Sequence, residues 1–529
     1  MSRSSIMRRV RSVLAQQQPA LVAALPPMHR RALLSGLARA GGAALAGGVL
    51  AGLGAPAWAA GPAGGRTAGR RPQRVGVVGG GIAGLVAALT LRDAGQPCTV
   101  FEPSTRLGGR MHSNHGFWAQ GQTSEWCGEF IDTDHVLLRA LARRFHLPLD
   151  DVNRADPPHS VDTNYFLGGY YTDAELAADM HPVSRVMARQ AAAVGDHYFW
   201  NDHNRVADYF DRMNCYEWIE TYVPGGHASR LGRYLDQGMV GLNGLDTPLQ
   251  SALNLIIPFH SDERFHVRNG NQQIPLAIAA HLPAGTVQMG WGLTAVAASN
   301  AGVSLAFATP EGPQSRDFDR VILALPFKVL RSLDFSQAGF EPRKVEMIRQ
   351  FAYGTNSKLI LQFDDRYWNG RGAWPGHGDG FVSTDLPFQS TWDTSRAQPG
   401  AAGLLTNYTG GTQGAAYKPD GPFTDSLASP ATAAYAVGLL AQMEQVWPGI
   451  TPHYTGLANL SYPTGDPFIQ ASYSAFGVGQ FTTFAGYGGV AQGRIHFAGE
   501  HTEVRFVGYM EGGAESGARA AAEVLAAAA

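Results

Sequence analysis

Cysteine is scarce in this 529-residue chain: only Cys98, Cys127 and Cys215 occur. Three thiols cannot build a disulfide framework, so the fold must rest on a buried core. A chain this long can bury one and divides naturally into two domains. A basic surplus is also missing, with 41 lysines and arginines against 43 acids and a formal net charge of −2. That balance excludes the basic face of a nucleic-acid-binding protein. The 65 glycines follow no short period, which excludes collagen-like and low-complexity structure, and no internal repeat is present. The histidines, among them His112, His115, His181, His197 and His203, lack the spacing of zinc ligands, so no metal is expected. Neither a nucleophile elbow nor a P-loop occurs.

No long, strongly apolar run is present either. The most apolar stretch, "ALLSGLARAGGAALAGGVLAGLGAPAWAAG", is rich in alanine and glycine, is interrupted by Arg39, and follows the pair Arg30 and Arg31. Small residues at Ala57 and Ala59 complete the pattern of a twin-arginine export leader over residues 1–59, rather than a membrane anchor. Met28 makes the more usual start for such a leader. Residues 60–72 follow as a polar Gly/Pro/Arg linker. Residues 1–59 hold seven arginines and no acids, so the mature chain carries a formal charge of −9. A periplasmic or secreted protein is therefore expected, exported by the twin-arginine machinery, with no stable membrane span in the mature chain. Export in the folded state also suits a protein that takes up a cofactor first and needs no disulfides.

The chemistry-bearing sequence opens with "RVGVVGGGIAGL". The apolar run leading into it predicts a buried parallel strand, and "LVAALTLRDAG" predicts a helix ending at Gly95. Gly79, Gly81 and Gly84 sit at the dinucleotide-binding spacing: the first for a tight turn, the second for approach of a pyrophosphate, the third for helix–strand packing. The second strand, "CTVFE", ends in Glu102, near the offset of a carboxylate that meets a ribose hydroxyl. Further on, "HVLLRALARRFHLPLDDV" has amphipathic helical spacing, "YFLGGYYT" predicts a hairpin around Gly168 and Gly169, and a mainly helical region runs to about 258. Strand-rich sequence then precedes the helix "ATAAYAVGLLAQMEQVW" and a closing strand, glycine turn and helix.

The glycine trio, the strand ending in Glu102, "RLGGR" at 106–110, "SEWCGEFID" and the terminal "FAGEHT…GYMEGGAESGARAA" together resemble the flavin-containing amine oxidases. The resemblance runs from Arg74 to the C-terminus and is clearest at the two ends. It implies an α/β, two-domain FAD-binding flavoprotein of Rossmann type with an inserted α+β substrate domain. The expected FAD-binding segments are 73–155, 266–345 and 461–529, and the substrate-binding segments are 156–265 and 346–460. It also implies FAD held by the turn at Gly79, Gly81, Ile82, Ala83 and Gly84, with Glu102 at the ribose and Arg110 at the pyrophosphate or flavin. Gly128, Glu129 and Phe130, following Cys127, would pass beside the ring, and the Val296 backbone would meet adenine. Glu500 would face the ribityl chain, and Met510, at a helix start, would direct its N–H to the ring. Ser472 stands where some relatives carry a cysteine bonded to flavin, so FAD is expected to be non-covalent.

The same resemblance places Lys358 where the family holds a water near the flavin. It places Tyr473 and Tyr509 as the two walls of an aromatic cage for the amine, where π faces attract a cation. The implied reaction is hydride transfer from the amine α-carbon, leaving an imine that water hydrolyses, with oxygen as acceptor and hydrogen peroxide as product. Substrates would be primary or secondary monoamines, diamines or polyamines, and a homodimer is compatible with this reading. An L-amino-acid oxidase is the nearest alternative. Such enzymes place an arginine after the E-x-x-G segment, where this chain has "GEFID", although Arg264 or Arg268 could substitute. A non-amine desaturase or oxidase, or a flavin-binding protein without turnover, are the further alternatives.

Overall fold

A computed structural model describes residues 73–258 and 261–527. The leader and linker expected at 1–59 and 60–72 lie outside the described residues.

The apolar tetrapeptide Val75–Val78 forms the central strand of a five-stranded parallel sheet, fully buried as its lack of alternation predicts. Its neighbours are Cys98–Glu102 on one side and Arg320–Leu323 on the other, with Val287–Met289 and Ile495–Phe497 at the edges. The glycine-turn helix Ile82–Asp93 follows the central strand directly. The closing helix Met510–Ala526 packs on it, and two glycines allow the close crossing. A Cβ at Gly517 would overlap the Ala83 carbonyl oxygen, and one at Gly513 would stand 2.9 Å from Ile82 Cγ2.

A second, eight-stranded sheet is built from Val161–Phe166 and Gly169–Tyr170 together with strands between 357 and 461. Inside it lies Ser357–Phe363, paired antiparallel with Gly403–Thr409 and Tyr454–Ser461. Every residue of that strand is buried. The hairpin expected around Gly168 and Gly169 is present. The helical region runs from Asp173–Val194 to Leu253–Ile256. The amphipathic helix is shorter than its pattern suggested: Val136–Arg144 ends before Phe145, and Leu149–Asp151 pairs as a strand with Phe265–Val267. Pro148 accounts for the break, since the residue before a proline is pushed out of helical geometry. A four-stranded sheet, with Gly292–Ala298 inside it, flanks the parallel sheet. The arrangement is the expected α/β mixture, with the chain passing repeatedly between its two main sheets.

Candidate active site

One elongated cavity opens at the carboxyl ends of the parallel strands, the position where such sheets bind ligands. Its floor is the glycine turn with Gly79, Gly81, Ile82 and Ala83, and Glu102 stands beside it. The glycines have separate tasks. Gly79 has φ +110°, and a Cβ there would overlap the Ala324 carbonyl oxygen. Gly84 lies beneath the turn, where a Cβ would overlap the Gly79 carbonyl oxygen. At Gly81 a Cβ would meet only Gly109 Cα, at 3.9 Å, so this glycine leaves room for a ligand instead of for packing. Glu102 is already bound to the turn: Oε2 accepts the Gly80 N–H at 2.8 Å and Oε1 the Ser104 N–H at 3.0 Å.

Two helices start at this cavity without a side-chain cap, Ile82–Asp93 after Gly81 and Met510–Ala526 after Tyr509. Uncapped N–H groups and the helix dipole make each start an anion-seeking point. A cavity lined by two such points suits a dinucleotide flavin, whose pyrophosphate and electron-accepting ring both carry or develop negative charge. His501 adds a second sign of fit. It lines the cavity, is 2% exposed, and neither ring nitrogen has a protein partner. Burial drives its pKa down to about 3, so it faces the cavity as a neutral ring.

Arg110 Nη1 donates to Glu500 Oε1 at 2.7 Å and to the Ser472 carbonyl oxygen at 3.1 Å. Glu500 also accepts the N–H and hydroxyl of Ser474 and the Gly508 N–H. Burial opposes its ionisation, but Arg110 and these hydrogen bonds win and hold the carboxyl at about 2. Glu500 thus ties three wall segments together. Gly128 contacts the start of the closing helix closely, since a Cβ on it would come within 2.8 Å of Met510 Sδ. Glu511 is turned away from the cavity and accepts the N–H groups of Leu137 and Leu138, at 2.7 and 2.8 Å, which fixes Tyr509 and Met510 against the helix Val136–Arg144.

Lys358, Tyr509, Met510, Arg110, Gly128 and Glu500 all line the cavity. Glu129, Phe130, Val296 and Tyr473 do not. Glu129 turns its carboxylate to the Lys358 ammonium at 2.7 Å. Phe130 packs in a cluster with Val152, Trp392, Tyr408 and Tyr473. Val296, expected at adenine, is buried in the core, and Gly292 and Leu293 take the wall of its strand. A register shift falls between Leu293 and Ala295, and the side chains of both Leu293 and Val296 are buried. Tyr473, expected as a cage wall, lies behind the wall with its side chain fully buried. Its hydroxyl is 3.0 Å from the carbonyl oxygens of Gly241 and Leu242 and accepts from the Tyr408 hydroxyl at 3.1 Å. Tyr408 lines the cavity in its place. Sequence reasoning passed over Tyr408 and Asn356 (whose Oδ1 accepts from the Ser472 hydroxyl at 2.8 Å), and it gave no role to His501, although that residue lies inside the "FAGEHT" motif. Arg264 and Arg268 are paired with Asp151 and Asp150 and do not line the cavity.

The family model for flavin containing amine oxidoreductases matches residues 82–525. An L-amino-acid oxidase of Notechis scutatus scutatus is 24% identical over 481 residues, covering 86% of this chain and 87% of that protein. Among solved structures, wild-type putrescine oxidase bound to putrescine aligns with a TM-score of 0.71 at 19% identity. That alignment covers 86% of this chain and 99% of the other. Cyclohexylamine oxidase from Brevibacterium oxydans IH-35A aligns with a TM-score of 0.72 at 17% identity and the same coverage. At such identities the structural likeness speaks for the fold alone, whereas the family model spans most of the chain, from the helix after the glycine turn to the closing helix, and the uncapped starts of these two helices face one cavity. The chain belongs to the flavin-containing amine oxidoreductase family, an enzyme family that uses FAD.

Proposed function

We propose that this protein is an exported amine oxidase that binds FAD without a covalent link and oxidises a primary or secondary amine. The observation that carries the reading is the meeting of Lys358, Tyr408 and Tyr509 on one cavity wall with the glycine turn and both uncapped helix starts. Bound FAD would supply the two-electron chemistry that converts the substrate amine to an imine, with the two electrons and two protons ending on oxygen as hydrogen peroxide. The chain's own part is placement and electrostatics. The turn and Glu102 would hold the nucleotide end, Arg110 and the Met510 N-terminus the ring end, and Tyr408 and Tyr509 would orient the amine. Ser472 offers no thiol, so acid should release FAD into the supernatant, and FAD remaining on the precipitated chain would refute non-covalent binding. A panel of monoamines, diamines, polyamines and L-amino acids, read by peroxide and by anaerobic bleaching of the flavin band, tests the activity. No bleaching with any amine would sink the reading.

An L-amino-acid oxidase is a second reading, favoured by one observation. The Arg396 guanidinium lies 5.5 Å from the centre of the Phe130 ring, next to the segment after which such enzymes carry an arginine, but Arg396 does not line the cavity. Arg396 is, however, already bonded to Asp156 at 3.1 Å and to the Asp393 carbonyl oxygen at 2.9 Å. An amine without a carboxylate fits this neighbourhood better. Export rests on Arg30, Arg31 and the small residues Ala57 and Ala59. Among the described residues no helix is long and apolar enough to cross a membrane.

A further inference from the structure

We infer that Glu129 is a positioning residue: as the buried counter-charge in contact with Lys358 it holds that ammonium at the cavity wall, where it serves the site's reaction with oxygen. This rests on the proposed reading of Lys358 as the lysine that serves bound FAD.

Lys358 sits in the fully buried strand Ser357–Phe363 and is itself 2% exposed. An ammonium in such a place loses its proton unless a partner supports the charge. Its Nζ donates to Glu129 Oε2 at 2.7 Å and to the Glu125 carbonyl oxygen at 3.2 Å, which leaves one donor for the cavity. The Trp392 ring centre lies 5.5 Å away and adds a π face. The other Glu129 oxygen, Oε1, accepts from Trp392 Nε1 and from Thr394 Oγ1, both at 2.9 Å. Both carboxylate oxygens are therefore fixed by donors from two strand segments, and the direction of the Lys358 side chain is fixed with them. Burial opposes ionisation of Glu129, but Lys358 and the Trp392 hydrogen bond win and hold its carboxyl well below the usual range.

The remaining groups around the ammonium do not replace this anion. The neighbouring strands place Tyr408 and Ser461 opposite Lys358, both uncharged at neutral pH. The Glu125 carboxylate is turned to Ser113, His266 and the Asn271 N–H. Burial pushes the Cys127 thiol up to about 11. Arg106, Arg110 and Asp466 lie further along the cavity wall, and none is ion-paired with Lys358 among the described residues. Among the described residues, Glu129 is its one counter-charge in contact. A fixed cation beside the cofactor would stabilise the negative charge that develops on oxygen.

The test uses holoenzyme whose FAD has been reduced photochemically, so that no amine substrate is involved, mixed with oxygenated buffer between pH 6 and 9. Parent enzyme should reoxidise at a rate that varies less than twofold over this range. Lys358→Met should be at least tenfold slower throughout. Glu129→Gln should match the parent near pH 6 and fall at least tenfold by pH 9, as the unsupported ammonium loses its proton. Glu129→Asp should restore the parental profile within about threefold. The absorption band of oxidised FAD should shift with pH in Glu129→Gln and not in Glu129→Gln/Lys358→Met. A Glu129→Gln profile parallel to that of the parent, with Lys358→Met still slow, would overturn the inference and leave the lysine reading standing. A Lys358→Met rate equal to the parent's would remove the lysine reading itself. If Glu129→Gln yields no holoenzyme, Glu129→Ala takes its place, with the same decline expected and a parental profile equally fatal.

Discussion

Arg110 and Glu500 stand 390 residues apart in the chain and 2.7 Å apart at the cavity wall. The glutamate is buried and fully engaged, and the arginine is about three-quarters covered. Arg110→Ala leaves that carboxylate without its counter-charge, and breaking such a pair costs about 3–5 kcal/mol. The pH dependence follows from the direction of the shift. The Glu500 carboxyl is held below its unfolded value, so its contribution is present above the unfolded value of about 4.3 and is lost as pH falls toward about 2. The variant's deficit should therefore be largest near neutrality and shrink in acid, where protonation removes the unpaired charge. Urea melts at pH 7 and pH 4 would show this, and equal deficits at both would contradict it.

Glu102 serves both the turn and, in the proposed reading, the nucleotide. Glu102→Ala removes the acceptor for the Gly80 and Ser104 N–H groups, and a lost charge-assisted bond of this kind costs about 1–3 kcal/mol. FAD affinity, measured by quenching of flavin fluorescence, should weaken by about tenfold or more, which corresponds to that range. Unchanged affinity would separate Glu102 from the ribose.

The three tyrosines should divide by role. Tyr509→Ala should keep FAD bound and slow anaerobic bleaching by the best amine about a hundredfold, the scale of a small misplacement of reacting groups. Tyr473→Phe strips a hydroxyl that meets two carbonyl oxygens and Tyr408, so it should cost about 1–3 kcal/mol of stability. Tyr408→Ala should resemble Tyr509→Ala in bleaching rate. Parental bleaching in both alanine variants would make these rings packing residues and withdraw support from the substrate end of the site.

Replacing Arg30 and Arg31 together by lysine should retain the holoprotein in the cytoplasm, because the twin-arginine route reads that pair. Cell fractionation with peroxide activity as the marker measures it. Export of the double variant at the parental level would remove the leader reading.

What the sequence settled by itself is local. The strand, glycine trio, helix and terminal acid from Val75 to Glu102 were legible because their geometry depends on residues a few positions apart. The closing helix was legible for the same reason, with "GYMEGG" marking its start. The two ends of the cavity could thus be identified before any fold was known. Tertiary structure decided what lies between them. Tyr408 and Tyr473 both occur in plain strand or loop sequence, and only the packing of the Gly403–Thr409 strand against the 471–474 segment puts one on the wall and the other behind it. Gly292 and Leu293 line the cavity beside a register shift that no alternation pattern encodes. Glu129 meets Lys358 across 229 positions because the strand Ser357–Phe363 is laid beside the loop that follows the short strand Ser124–Glu125. Contacts of that kind depend on long-range register, and register is set by how the two sheets pack rather than by any short run of residues.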